Sequence, residues 1–152
     1  MNTSTKILPK RKNIAIVAHD HKKAEMMAWA EKNKEVLRSH RIYATGTTGK
    51  LLEDVIDAPV HRFKSGPLGG DQQIGAKISD GEIEMMFFFW DPLEAQPHDT
   101  DVKALLRIAV LYNIPLASNT STADFLLNSK YFEEDYEMSV MDFDGYLNRQ
   151  IL

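Results

Sequence analysis

Residues 65–73 read SGPLGGDQQ, and residues 97–101 read PHDTD. The first stretch leads three glycines and a proline up to an acid, Asp71. The second sets His98 beside Asp99 and Asp101. A carboxylate can remove a proton from carbon, and a histidine, which titrates near neutrality, can hand one to an oxygen. A purely local reading is also open for each acid. Asp is a favoured helix N-cap, so Asp71 could simply start the helix that QQIGAKI suggests, and Asp101 could cap DVKALL. Ser121 with Asp124 reads as a capping box, with no chemistry attached.

TGTTG (45–49) supplies three hydroxyls, from Thr45, Thr47 and Thr48, and two glycines, Gly46 and Gly49, before the helical run LLEDVI. Small hydroxyls, exposed backbone N–H groups and a helix start suit an anion, phosphate above all. The segment is neither a nucleotide P-loop nor a GxGxxG fingerprint, because Lys50 is followed by Leu51 and the glycine spacing is wrong. Ser65 and Gly66 offer a second set of small donors, and Lys23 and His19 bring positive charge. The expectation is a monophosphate held by two loops and a lysine. Asp20, Asp71, Asp91, Asp99 and Asp101 occupy the same kind of loop, where they repel an anion. Acids beside a phosphate make sense if one removes a proton and others orient a histidine. His19-x-His21 invites a metal reading with His98 and an Asp, but it lacks the spacing of helical zinc motifs, and Lys22 and Lys23 repel a cation. His40 and His61 read as surface or packing residues.

The elements that must hold these loops alternate between short apolar runs and helical patterns. NIAIVA (13–18), RIYA (41–44), PVHRF (59–63), EMMFFF (84–89) and IPLAS (114–118) read as strands. AEMMAWAEKNKEVLRSH places Met26, Met27, Trp29, Ala30, Val36 and Leu37 on one side of a helix, and DVKALLRIAVLY repeats the pattern with Val102, Leu105, Leu106, Ala109 and Tyr112. Alternation of this kind implies a mostly parallel five-stranded sheet covered on both faces, a doubly wound α/β domain. In such a sheet the carboxyl ends of the strands face one way, and ligands bind there. The polar clusters after the five runs therefore converge on one edge. Residues 1–8 are expected as a mobile tail, 9–152 as one domain, and FDGYLNRQIL as a terminal helix or arm.

With 152 residues the chain is the size of one domain. Its net charge of −4 argues against a nucleic-acid binder, which usually shows a basic face. The absence of cysteine excludes disulfides, thiolate catalysis and Cys-ligated zinc. MNTSTKILPKRKN has no apolar stretch behind it, so it does not read as a signal peptide, and MMFFFW is too short to span a bilayer. A cytoplasmic domain without membrane contact is expected.

VAHDHKK, YATGTTG, SGPLGGDQQ and FFFWDPLEAQPHDTDVKALLR, in this order, closely resemble the methylglyoxal synthase family from about residue 8 to 150. TGTTG alone is shared with the wider class of methylglyoxal-synthase-like domains, including regulatory ones, so a phosphate-ligand-binding domain without catalysis is the alternative. SGPxGGDQQ with WDPxxxxPHxxD is far more specific. The resemblance implies conversion of dihydroxyacetone phosphate to methylglyoxal and inorganic phosphate through an enediolate, without cofactor or metal, in a homohexamer that phosphate inhibits. It makes Asp71 the base and His98 its partner, with Asp20, Asp91 and Asp101 as supporting acids. It makes His19, Lys23, Thr45, Gly46, Thr47, Thr48, Ser65 and Gly66 the substrate and phosphate contacts. An arginine from a neighbouring subunit is also implied, with Arg149 as the candidate.

Overall fold

The apolar runs 14–18 and 85–89 are buried along their whole length, and their side chains alternate between two cores. Strands buried on both faces need cover on both faces, which helices provide. The computed structural model describes residues 2–151. Its elements run β1 (Thr3–Leu8), β2 (Asn13–Ala18), α1 (Lys23–Lys32), α2 (Lys34–Arg38), β3 (Arg41–Thr45), α3 (Gly46–Ile56), β4 (Val60–Phe63) and α4 (Gly70–Ser79). They continue with β5 (Met85–Phe89), α5 (Asp99–Leu111), β6 (Leu116–Ala117), α6 (Thr120–Leu127), β7 (Tyr136–Met141) and α7 (Asp144–Leu147).

The expected sheet is present: five parallel strands in the order β4-β3-β2-β5-β6. The chain builds outward from β2 through β3 to β4, then returns to place β5 on the other side of β2. The strand order therefore reverses between β2 and β5. Ile14, Ile16, Phe87 and Phe89 point to a core closed by Met26, Trp29, Leu52, Ile56 and Leu127 of α1, α3 and α6. Ala15, Val17, Met86 and Phe88 point to the other, closed by Ile74 and Ile78 of α4 and Val102, Leu105 and Ala109 of α5.

Three local expectations need correction. Residues 3–8, expected within a mobile tail, form β1, which pairs antiparallel with β7 in a separate two-stranded sheet; Met1 and Leu152 lie outside the described residues. Lys12 secures this ribbon. Its side chain is fully buried, and its ammonium donates to the carbonyls of Pro9 (2.9 Å) and Glu134 (3.0 Å). The pattern at 24–40, read as one helix, is two, because Asn33 leaves helical geometry and its side-chain amide donates to Trp29 O at 2.8 Å. The helix after β6 is capped by Asn119, which accepts from Thr122 N at 2.8 Å, rather than by a Ser121–Asp124 box.

Candidate active site

The carboxyl ends of β2 and β5 are joined by His19 N donating to Phe89 O at 3.1 Å. This is the point of strand reversal, where an open α/β sheet leaves a crevice. A cavity of about 330 Å³ opens there. Four of the five expected loops line it: His19, Asp20 and Lys23 after β2; Thr45, Thr47 and Thr48 after β3; Ser65, Gly66 and Asp71 after β4; His98 after β5. The loop after β6 contributes nothing. Asp91 and Asp101 stand just outside the lining, and Gly46 lies behind Ser65. Arg149 does not line its own chain's cavity; it is exposed and lies over the ring of Tyr146 at 3.7 Å.

Each loop has a local reason for its shape. α3 begins at Gly46, inside TGTTG, so Thr47 and Thr48 lie in its first turn and the free N–H groups face the same cavity as their hydroxyls. SGPLGG folds as a short 3₁₀ turn over Gly66–Leu68, then enters α4 through Gly69 at φ 101°. Gly70 allows a close approach that no side chain tolerates, since a Cβ there would lie 1.9 Å from Lys64 O. Gly66 has a different duty: its Cβ would lie 2.8 Å from His98 Nε2. The glycines leading up to Asp71 thus let the chain turn and leave His98 room to reach it.

Asp71 is not a helix cap. The N-cap of α4 is Gly69, and no side chain caps it. Asp71 is 2% exposed, and both its oxygens are buried without a hydrogen-bond partner. His98 Nε2 approaches Asp71 Oδ2 at 3.5 Å. Burial pushes the Asp71 pKa up, with Asp101 adding to that and His98 opposing it. A helix start favours an ionised carboxyl, but desolvation outweighs it here. Asp101 is likewise not a cap. It sits inside the first turn of α5 and accepts from Gln72 Nε2 at 3.3 Å.

His19 is 5% exposed and has its pKa lowered, first by burial and then by His98, so it is neutral at pH 7. Its Nδ1 accepts from Asp91 N at 3.0 Å, which leaves the proton on Nε2, a buried donor with no partner. Asp20 is held by Lys23, whose hydrogen bond and charge lower its pKa. Asp91 accepts from Leu93 N at 2.9 Å and pairs with His21 Nδ1 at 3.3 Å, fixing the loop that carries His98. The metal reading fails in its original form. His19 and His21 do not converge, and His21 instead joins Asp91 and Glu94 in a charged group beside the cavity. Pro67, the proline leading up to Asp71, also lines the cavity, as does Gln96, which sequence reasoning missed. Gln96 carried no signal beyond lying two residues before His98.

A family model described as MGS-like domain matches residues 25–118. The chain is 51% identical to the methylglyoxal synthase of Pectobacterium atrosepticum over 99% of both chains, and 54% identical to that of Coxiella burnetii over 92% of this chain and 98% of the other. This chain belongs to the methylglyoxal synthase family. The crystal structure of methylglyoxal synthase from Elizabethkingia anophelis superimposes with a TM-score of 0.92 at 51% identity, covering 98% of each chain. Membership of the methylglyoxal synthase family over nearly the whole length makes the chain an enzyme. No helix among the described residues is long and apolar enough to cross a membrane.

Proposed function

We propose that this enzyme eliminates phosphate from dihydroxyacetone phosphate, giving methylglyoxal and inorganic phosphate. One observation carries the reading. Among the described residues six buried side-chain polar atoms lack a partner, and four of them belong to this cavity: both Asp71 oxygens, His98 Nδ1 and His19 Nε2. Buried polar groups are normally satisfied, and exceptions call for a ligand or a catalytic role.

In the proposed reaction the substrate phosphate lies on the hydroxyls of Thr45, Thr47, Thr48 and Ser65, the backbone at Gly46 and Gly66, and Lys23. Asp71 takes a proton from the hydroxymethyl carbon. The electrons move onto the carbonyl oxygen, and His19 and His98 donate hydrogen bonds to the resulting enediolate. The terminal hydroxyl proton of the enediolate passes to the central oxygen by way of His98, leaving the charge on the terminal oxygen. Its electrons then form the aldehyde carbonyl, the double bond shifts one carbon along, and phosphate leaves as the C–O bond breaks. The enol that remains takes up a proton at the carbon that carried phosphate and becomes methylglyoxal. Expulsion requires that C–O bond to stand out of the enediolate plane, aligned with its π electrons, so the angle at which the TGTTG turn grips phosphate selects elimination over isomerisation. Asp20, Asp91 and Asp101 act through others: Asp20 on Lys23, Asp91 on His19 and its loop, Asp101 on the charge of Asp71. A homohexamer in which Arg149 reaches a neighbouring cavity belongs to the same reading, supported by the exposure of Arg149. The test is incubation with dihydroxyacetone phosphate, following methylglyoxal and phosphate together. Equal yields of both, insensitive to a chelator, are expected; absence of turnover would make this a ligand-binding domain.

A further inference from the structure

At the opposite edge of the sheet, the amino ends of β3 and β4 border a second cleft of about 410 Å³. Arg11, Arg38, Arg41, His40, Tyr43 and His61 line it, and no carboxylate does. In a chain of net charge −4, a cleft walled by three guanidiniums concentrates positive potential. Arg38 is already engaged, with Glu35 at 3.1 Å. Arg11 and Arg41 are exposed, and among the described residues neither pairs with a carboxylate. Among the described residues the only side-chain bond of Arg41 is a long one, 3.4 Å to Asn13 Oδ1. The floor is fixed, because buried His40 accepts from Lys12 N at 3.0 Å and packs on Phe132. One wall is aromatic: the rings of Tyr43 and His61, paired across β3 and β4, lie 5.2 Å apart.

We propose that this cleft is a second ligand site, which takes a nucleoside polyphosphate. The phosphates lie on the guanidinium forks of Arg11 and Arg41, whose planar geometry suits phosphate oxygens. The base lies on the Tyr43–His61 wall, as bases do on aromatic faces. A lone phosphate leaves most of the cleft empty, whereas its volume falls within the range of small-molecule pockets. The site is separate from the catalytic cavity. Arg41 and Thr45 end the same strand, about 13 Å apart at roughly 3.3 Å per residue.

Calorimetric titration of ATP into three proteins tests the assignment: the unaltered enzyme, the double variant Arg11→Ala/Arg41→Ala, and Lys23→Ala. Binding should survive Lys23→Ala and weaken by roughly ten- to a hundredfold in the double variant, which loses two charge-assisted contacts. Both arginines are exposed, so the double variant should keep its circular dichroism and its turnover without ATP. The paired Arg→Lys variant should bind with intermediate affinity, since it keeps charge and loses the fork. Inorganic triphosphate should bind more weakly than ATP; equal affinity would remove the base from the site. No binding, or binding lost with Lys23 and kept without Arg11 and Arg41, would overturn the proposal.

Discussion

Gly66→Ala is the sharpest test of the catalytic geometry. The added Cβ would lie 2.8 Å from His98 Nε2, 3.3 Å from its Cδ2 and 3.5 Å from Asp71 Oδ1. Ordinary contact starts at 3.4 Å, so the imidazole must retreat by about 0.6 Å (3.4 less 2.8). The ring is nine-tenths buried and cannot yield without turning away from Asp71, which it now approaches at 3.5 Å. Displacement of a reacting group by an ångström costs about 10²-fold in rate, so turnover should fall roughly 10- to 100-fold. Substrate affinity should change only a few-fold, because the threonine hydroxyls and Lys23 are untouched. The backbone at 66 is ordinary, so the fold should survive. Gly75→Ala is the control. Its nearest neighbour is Leu105 Cδ1 at 3.9 Å, and Ala inside a helix should add about 0.5–1 kcal/mol of stability with turnover unchanged. The paired assays are steady-state kinetics and urea unfolding. Wild-type turnover in Gly66→Ala would remove His98 from the chemistry.

Three further outcomes are expected. Asp71→Asn should abolish exchange of the substrate carbon proton with solvent, seen by proton NMR in deuterium oxide. It should also melt higher than the parent at pH 7, because burial raises the Asp71 pKa. The native state is favoured while that carboxyl is protonated and loses the advantage as pH rises through its folded pKa, so the gain from Asn should vanish in acid. His98→Gln keeps a donor but no transferable proton near neutrality, so turnover should drop roughly 10²–10⁴-fold with a much smaller change in KM. Inorganic phosphate should compete with substrate, and Thr48→Ala should weaken both together; a phosphate constant unmoved by that change would detach Thr48 from the headgroup.

Much of this was legible because apolar runs and the polar residues behind them are local signals. NIAIVA and EMMFFF show strands buried on both faces, and a parallel sheet then forces His19, Thr45, Ser65 and His98 to one edge. What depended on distant partners was not legible. TSTKIL, four polar residues followed by two apolar ones, shows no strand period, and it becomes β1 only by pairing with YEMSVM, more than 130 residues on. RKN reads as a solvated charge run, yet Lys12 is buried because its ammonium meets the carbonyl of nearby Pro9 and that of Glu134, far along the chain. The same limit hid the second basic cleft, whose arginines come from separate elements.

Local sequence and tertiary burial act in opposite directions on the charge of Asp71, and the balance bears on rate. A helix start favours the carboxylate by a fraction of a kcal/mol when exposed, whereas full burial of an unpaired carboxyl is a far larger effect of opposite sign. The raised pKa makes Asp71 a stronger base toward a carbon acid, at the cost of a smaller ionised fraction in acid. The acid limb of kcat/KM, which reports the free enzyme, should therefore lie above the ordinary Asp value of about 3.9. A phosphate dianion bound beside it should push the limb of kcat to still higher pH. The substrate phosphate itself titrates near pH 6, so the two origins must be separated. Asp71→Glu does so: a limb set by the enzyme carboxyl moves with the substitution, whereas one set by substrate stays where it was. A kcat/KM limb within the ordinary carboxylate range, or one indifferent to Asp71→Glu, would show that the proton is taken by another group, and the water-facing Asp20 would be the next to test.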